Sequence, residues 1–445
     1  MVIVFVIGYL MIALEQPLKI FKTPTALLLA ALLWTITAVS NGSAFIPSSL
    51  EQLIGSDNPH GLMQLLTEKI KEELGSTCET VFFLVGAMCI VEVMDTWGAF
   101  RIITDRIKSR RKVRLLWILG ILTFFMSAIL DNLTTTIVML ALLNKIIKDR
   151  KDRWFFAGII VVSANAGGAW TPIGDVTTIM LWIQQKVSAV NVIEKTFLAS
   201  LISVVVPFTI LSFILKGDVE SATEGVVDDS AASRVPLRNR YIMLFMGVIL
   251  LLFVPVFKAI THLPPYLGML ASLSVLWIVT DALRPSDKSN PDRQTLRCSN
   301  IIHKVDYSSI LFFLGILMAV AALNVCGHLT VLSENLDKIS LAEPQKYFFI
   351  DTIIGMLSSV VDNVPLVAAS MSMYDFQMDH YFWELLAYCA GTGGSLLIIG
   401  SAAGVAAMGI EKMDFIWYLK HISWIALIGY LSGVIVYILQ YEFIG

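Results

Sequence analysis

The sequence predicts an all-α polytopic membrane protein built from two inverted-topology repeats, each with a re-entrant helical hairpin and a discontinuous helix. Three observations carry that expectation. Of 445 residues, 56% are hydrophobic and 15% charged, with a mean hydropathy of +0.75; a soluble domain of this size needs far more charge on its surface. Apolar stretches of about 20 residues recur, the length that crosses a hydrocarbon core of about 30 Å. Finally, an Asp-Asn pair stands twice inside such a stretch, Asp131-Asn132 in SAILDNLTTTIVML and Asp362-Asn363 in SSVVDNVPLVAASM. Each pair is followed by a glycine-rich interruption of the next apolar stretch. Ionisable groups at membrane depth are costly and point to function. Two copies in matching positions point to a transporter whose site lies where its repeats meet.

Apolar segments fall at about 2–14, 24–40, 80–97, 115–144, 154–185, 196–215, 241–260, 266–283, 307–327, 347–373, 381–410 and 421–440. Met1 leads directly into VIVFVIGYLMIAL without a basic region, so no removable signal peptide is expected. All 32 Lys and Arg residues lie between these segments or at their rims. They concentrate around 15–23, 98–114, 145–153, 216–240, 284–306 and 411–420, which the positive-inside rule makes cytoplasmic. The acidic character of 216–240 does not alter that placement, because acids contribute little to the rule.

Segment 115–144 has a basic cluster on both flanks, RIITDRIKSRRKVR and KIIKDRKDR. Both ends are therefore cytoplasmic, and its length suits a re-entrant hairpin with Asp131 and Asn132 near the tip. Segment 347–373 has flanks poor in Lys and Arg, which puts both of its ends outside, with Asp362, Asn363 and Pro365 at its tip. Residues 80–215 and 307–440 then have opposite topology. The first repeat holds the hairpin 115–144 and the broken helix 154–185; the second holds 347–373 and 381–410. Residues 1–79 supply N-terminal helices and an external segment, and 216–306 a linker with two connecting spans. The stretches 41–79 and 328–346 read as external amphipathic segments. Non-helical backbone survives at membrane depth only when buried in protein or lining a polar cavity. Gly167, Gly168, Pro172, Gly393 and Gly394 mark the expected hinges, since glycine permits unwinding and proline lacks a backbone donor.

This layout gathers Ser127, Asp131, Asn132, Thr134, Thr135, Asn165, Thr171, Asp175, Thr177 and Thr178 from one half. The other supplies Ser358, Ser359, Asp362, Asn363, Thr392, Ser395 and Ser401. The set holds three carboxylates and no Lys or Arg, which opposes an anionic substrate. Hard cations such as Na⁺ or Li⁺ take carboxylate, amide, hydroxyl and carbonyl oxygens, and the first candidates are Asp131, Asn132, Asp362 and Asn363. Desolvation and mutual repulsion favour the protonated form of clustered buried carboxylates. Such a cluster carries protons or a metal cation in competition, which is exchange in outline. Blander readings stand beside this one. Asp and Asn cap helices, and Gly-Gly pairs serve close helix packing. Glu92 and Asp95 read as interfacial, Asp351 and Glu384 as solvated helix-end residues, and the ten Trp residues as interface markers. Cys78, Cys89, Cys298, Cys326 and Cys389 are scattered, and the six His lack metal spacing, so no cofactor or structural metal is expected.

The runs SAILDNLTTTIVML, SANAGGAWTPIGDVTTIMLW, SSVVDNVPLV and GTGGSLLIIGSAAGVAAMG, in this order, resemble the signatures of the NhaD-type Na⁺/H⁺ antiporters of the ion transporter superfamily. The resemblance covers about residues 80–440. It implies inverted repeats with re-entrant hairpins, a homodimer, and elevator-like motion of a transport domain exchanging cytoplasmic Na⁺ or Li⁺ for external H⁺. It also implies importance for Asp131, Asn132, Asp175, Thr177, Thr178, Ser358, Asp362 and Asn363. The superfamily supplies the competing readings. Divalent-anion symporters resemble this layout but carry neutral tips, and arsenite extrusion stays open because a neutral metalloid hydroxide tolerates carboxylates. From another class, an intramembrane aspartyl protease needs a Tyr-Asp then Gly-x-Gly-Asp order that this chain lacks, and a scaffold without transport needs no such site. The partners expected are the lipid bilayer and a second copy, with no nucleic acid. A bacterial inner membrane is the expected location, with an organelle envelope as the alternative.

Overall fold

The computed structural model describes residues 1–13, 15–39, 59–104, 106–107, 109–220, 234–284 and 292–444. Residues 41–58 of the expected external stretch 41–79, and most of the linker within 217–238, lie outside the described residues. Short helical turns aside, the helices in order are α1 (Val2–Ala13), α2 (Lys22–Val39), α3 (Pro59–Thr96), α4 (Lys112–Ser127), α5 (Asn132–Ile146) and α6 (Arg150–Gly168). Then come α7 (Val176–Ile183), α8 (Ala189–Ile214), α9 (Leu237–Thr261), α10 (Pro265–Leu283), α11 (Tyr307–Val325) and α12 (His328–Leu336). The chain ends with α13 (Gln345–Leu357), α14 (Asn363–Met373), α15 (Tyr381–Gly393), α16 (Ala402–Glu411) and α17 (Ser423–Ile444). Seven of these, α2, α3, α8 to α11 and α17, are long and apolar enough to cross a membrane. The chain is an all-α polytopic membrane protein.

The four longest apolar segments of the sequence are the ones that do not form single helices. Segment 115–144 divides into α4 and α5, 154–185 into α6 and α7, 347–373 into α13 and α14, and 381–410 into α15 and α16. Each divides at its polar or glycine-rich core. Asp131 takes extended backbone (φ 166°, ψ 162°) and starts α5 as its N-cap. Asp175 (φ −143°, ψ 147°) and Ser401 (φ −141°, ψ 155°) do the same for α7 and α16. At 15 residues, α5 spans about 22 Å and falls short of the hydrocarbon core.

Two expectations need correction. Residues 59–79 do not form a separate external segment; they are the start of the 38-residue helix α3, which runs without interruption into the apolar stretch at 80–97. The tryptophans are not all interfacial. Trp97, Trp182 and Trp383 are buried, and Lys258 and Lys186 sit over the Trp182 and Trp383 rings at 4.6 and 5.0 Å. Local hydropathy does not distinguish an aromatic ring facing headgroups from one facing another helix.

The chain divides into two compact units. One comprises Met1–Phe82, Asp306–Ile350 and Val364–Gln377. Within it α2 lies along α11, where Gly315 admits the Ala26 backbone. Thr23 Oγ1 donates to the Ser308 carbonyl at 2.9 Å and Trp34 Nε1 to the Met318 carbonyl at 2.9 Å.

The other comprises Phe83–Val305, Asp351–Asn363 and Met378–Gly445. Its core includes α8 against α17. Pro207 lies inside α8 and has no N–H to offer the Ser203 carbonyl, and Gly429 of α17 packs directly against that carbonyl. At one rim Arg153 gathers three chain ends. It pairs with Glu411 at 3.0 Å and donates to the Ile147 and Lys148 carbonyls at 3.2 and 2.8 Å, past the end of α5. Trp154 Nε1 donates to the Glu411 carbonyl at 3.1 Å.

The Glu411 side chain is 2% exposed and that of Arg153 22%, so this pair is shielded where most ion pairs here are not. Glu411→Gln is expected to cost about 1–3 kcal/mol, because the guanidinium keeps two carbonyls but loses its counter-charge in a low-dielectric site. Lys148→Gln, which breaks an exposed pair with Glu220, is expected to cost under about 1 kcal/mol. Thermal unfolding in detergent separates the two.

Candidate functional site

The site lies within the second unit, where the breaks in α4/α5, α6/α7, α13/α14 and α15/α16 bring polar groups into contact. Asp175, 1% exposed, is its most saturated member. Its Oδ1 accepts from Thr177 N at 3.1 Å and Thr177 Oγ1 at 3.2 Å, and its Oδ2 accepts from Asn132 Nδ2 at 2.9 Å. Asn363 Nδ2 approaches both oxygens at 3.5 Å. Asn132 Nδ2 also donates to Asn165 Oδ1 at 3.1 Å. Asn165 in turn donates from Nδ2 to Ser395 Oγ at 3.0 Å and Ser401 Oγ at 2.9 Å. One continuous network therefore joins residues from all four breaks.

Asp131 is partly exposed and is held by its own helix: Thr134 N and Thr134 Oγ1 both donate to it at 2.7 Å. The capping role considered above is thus real for Asp131 and Asp175. Capping does not exclude ion binding, since a carboxylate at a helix N-terminus keeps lone pairs to spare. Asp362 is partly exposed, and it and Asp131 lie within electrostatic reach of Asp175. Among the described residues no three Asp, Glu, His or Cys groups converge on one point. A cation held here draws on amide, hydroxyl and backbone oxygens beside any carboxylate. Asn132 and Asn363 both turn their NH₂ groups toward Asp175, which points their carbonyl oxygens elsewhere, the orientation a cation ligand needs.

The remaining expected residues hold the breaks in place. Ser127 Oγ donates to the Ala164 carbonyl at 2.6 Å, and Thr171 Oγ1 to the Ala128 carbonyl at 2.6 Å. Ser358 Oγ donates to the Ala390 carbonyl at 2.9 Å. Thr178 Oγ1 bonds the Asp175 carbonyl at 2.9 Å. Thr392 and Ser359 bond carbonyls of their own chain segment, Tyr388 and Met356, and do not enter the network. Thr135 is buried on α5 with no hydrogen-bond partner for its hydroxyl.

The glycines act differently from the expected hinges. Gly167 and Gly168 end α6 while still helical, and Gly393 ends α15, with Gly394 as its cap. Turn and bend backbone begins directly after α6, over 169–175 with Pro172 at its middle, and at Gly394 in the second case. What these glycines supply is closeness. A side chain on Gly167 would collide with the Phe124 carbonyl, and one on Gly393 with the Gly355 carbonyl. Gly174 and Gly400 likewise leave no room beside the Ser127 and Ser358 carbonyls.

Two site features escaped the sequence reading. The bonds from Asn165 to Ser395 and Ser401 cross between the halves, and no local pattern signals such a pairing. Asp351 and Glu384, read as solvated, are 0% and 4% exposed. They sit near apolar-segment ends, but helices from elsewhere in the chain cover them. The signal for Asp351 was present in its neighbours, FFIDTIIG, apolar on both sides.

The comparisons with known proteins make the chain a membrane transporter. The citrate transporter family model matches residues 9–383. "Sodium/proton antiporter 2" of Arabidopsis thaliana is 40% identical over 450 residues, covering all of both chains. "Sodium/proton antiporter 1" of the same plant is 41% identical over 98% of this chain and 72% of its own length. "Na(+)/H(+) antiporter NhaD" of Vibrio cholerae is 31% identical over 98% of this chain and 90% of its own. The chain belongs to the citrate transporter family and, within it, to the group of NhaD-type antiporters.

Gly167→Ala and Gly393→Ala are each expected to destabilise the protein by about 1–3 kcal/mol, because a methyl group meets fixed backbone. Gly409→Ala, with nothing within 4 Å, is expected to leave the melting temperature unchanged or raise it slightly.

Proposed function

We propose that this protein exchanges cytoplasmic Na⁺, and also Li⁺, for external H⁺, the two competing for the carboxylates of one polar site. The observation that carries the reading is the donor set. Asp131, Asp175 and Asp362 stand with the amides of Asn132 and Asn363 and many hydroxyls, and the bonds that join Asn132, Asn165, Asp175, Asn363, Ser395 and Ser401 involve no Lys, Arg or His. Oxygen ligands with net negative charge suit a hard monovalent cation. A cation and a proton are alternative ways of neutralising the same oxygens, so binding one expels the other. The names of the plant and Vibrio relatives point the same way. Citrate, after which the family model is named, would bring several negative charges to a site with three carboxylates. A neutral metalloid hydroxide remains the second reading.

The architecture proposed for this exchange is a pair of inverted repeats with re-entrant hairpins. Matched contacts support it. Ser127 and Ser358, each one helical turn before an Asp-Asn pair, bond carbonyls in the last turns of α6 and α15. Gly167 and Gly393 meet backbone carbonyls one turn before those serines, and Asp175 and Ser401 each cap the helix after the break. An elevator-like motion in a homodimer, carrying the site as one body, follows from the same reading. So does a division of labour in which Asp131 and Asp362 meet the ions while Asp175 is the fixed counter-charge.

In proteoliposomes with a preset pH gradient, Na⁺ and Li⁺ are expected to dissipate the gradient and K⁺ to do so weakly. Asp131→Asn and Asp362→Asn keep the side-chain shape but cannot titrate. Each is expected to lower the Na⁺ response by at least about tenfold, equal to about 1.4 kcal/mol, with the protein still folded. A response to arsenite or citrate with none to Na⁺ refutes the assignment.

Topology has its own check. Cysteines introduced at Ser109 and Lys151 are expected to be labelled from one side, and cysteines at Lys338 and Gln377 both from the other. Opposite-side labelling within either pair removes the re-entrant hairpin.

A further inference from the structure

Asp351 stands apart from the network described above. It lies on α13, is 0% exposed, and neither carboxylate oxygen has a hydrogen-bond partner. Among the described residues it forms no ion pair, and no cation acts on it. The titratable groups that face it are Cys389 on α15 and Tyr430 and Tyr437 on α17. Beyond Tyr437 is a second carboxylate. Tyr437 Oη donates to Glu384 Oε2 at 2.5 Å, and Asn191 Nδ2 donates to Glu384 Oε1 at 2.7 Å. Tyr430 is committed elsewhere, donating to the Thr352 carbonyl at 2.8 Å. One turn further along α13, Gly355 packs against Cys389 and Tyr430 without space for a side chain, so the wall around Asp351 is tight.

A carboxylate in such a place cannot remain ionised without a partner, and the surroundings supply none. A metal cation needs several coordinating oxygens, and among the described residues no cluster of ligating side chains gathers around Asp351. A proton needs no such cluster.

We propose that Asp351 is a second proton-binding site, separate from the Asn132–Asp175 network, on the wall formed by α13, α15 and α17. Glu384, which accepts the hydrogen bond of Tyr437, is the carboxylate beyond that tyrosine. The matching turn of α4 in the first half carries Gly120, where the Phe208 ring fills the space. The site therefore belongs to one half only, and it gives the exchanger a titrating group that Na⁺ does not contact. The last point rests on the exchange reading given above; the presence of the proton does not.

The test is a pH-difference infrared spectrum of the full-length protein in detergent. The wild-type spectrum is expected to contain a carboxylic-acid C=O band of the kind found in apolar surroundings. Asp351→Asn is expected to remove that band, and Asp131→Asn to keep it. Should Asp351→Asn fail to fold, Asp351→Glu is read in the same way, and the band is expected to move. In proteoliposomes, Asp351→Asn is expected to make the rate of Na⁺-driven exchange change less steeply with pH, while the apparent Na⁺ affinity stays within about twofold. A folded Asp351 variant with an unchanged spectrum overturns the proposal, whatever its transport activity. A lost band with an unchanged pH profile overturns the role in exchange, while the exchange reading itself stands or falls on its Na⁺ response.

Discussion

The hydrogen bond from Asn132 Nδ2 to Asp175 Oδ2, 2.9 Å long, is the contact on which the rest of the site depends. A carboxylate at 1% exposure is tolerable only when its oxygens meet donors. Those donors have to come from chain that is not hydrogen-bonded to itself. A continuous helix spends its backbone donors on its own turns. The breaks after Gly168 and before Val176 free Thr177 N for Asp175, and the break before α5 brings Asn132 to the same carboxylate. The interruptions in four apolar segments are therefore the condition for holding charge at that depth.

Close approach is the second condition. Small residues let the interrupted segments come near enough for short side chains to touch. Gly167 and Gly393 stand against carbonyls, and Gly174 and Gly400 against the serine turns that precede the Asp-Asn pairs. With larger residues there, Ser127 could not reach the Ala164 carbonyl, nor Ser358 that of Ala390. Ser395 and Ser401 then complete the arrangement by taking both amide hydrogens of Asn165, which leaves Asn165 Oδ1 for Asn132. Each amide in the chain is oriented by the next, so the site is set by a sequence of donors and acceptors more than by any single residue.

Much of this was legible in the sequence because membranes make polar residues conspicuous. Asp131, Asp175 and Asp362 stood out against apolar surroundings, and Pro172 and the paired glycines marked where helices end. Each of the four divided segments was visible as an apolar run too long for one span with a polar centre. Pairing across the chain was not legible. Nothing near Asn165 announces Ser395 or Ser401. Asp351 and Glu384 were misread because burial by Tyr430 and Tyr437 comes from a helix distant in sequence. The start of α3 was misread because an amphipathic stretch continuous with an apolar one is a single helix. Hydropathy reports the chain's local preference for lipid, whereas burial inside the protein depends on which helix arrives beside it.

The central claim is that Na⁺ and protons neutralise the same oxygens. It is tested most directly by adding Na⁺ to purified, weakly buffered protein in detergent and following pH with an indicator. The account predicts proton release on Na⁺ addition, saturating with Na⁺, absent with K⁺, and lost in a folded Asp131→Asn or Asp362→Asn protein. Saturable Na⁺ binding with no proton released would contradict it.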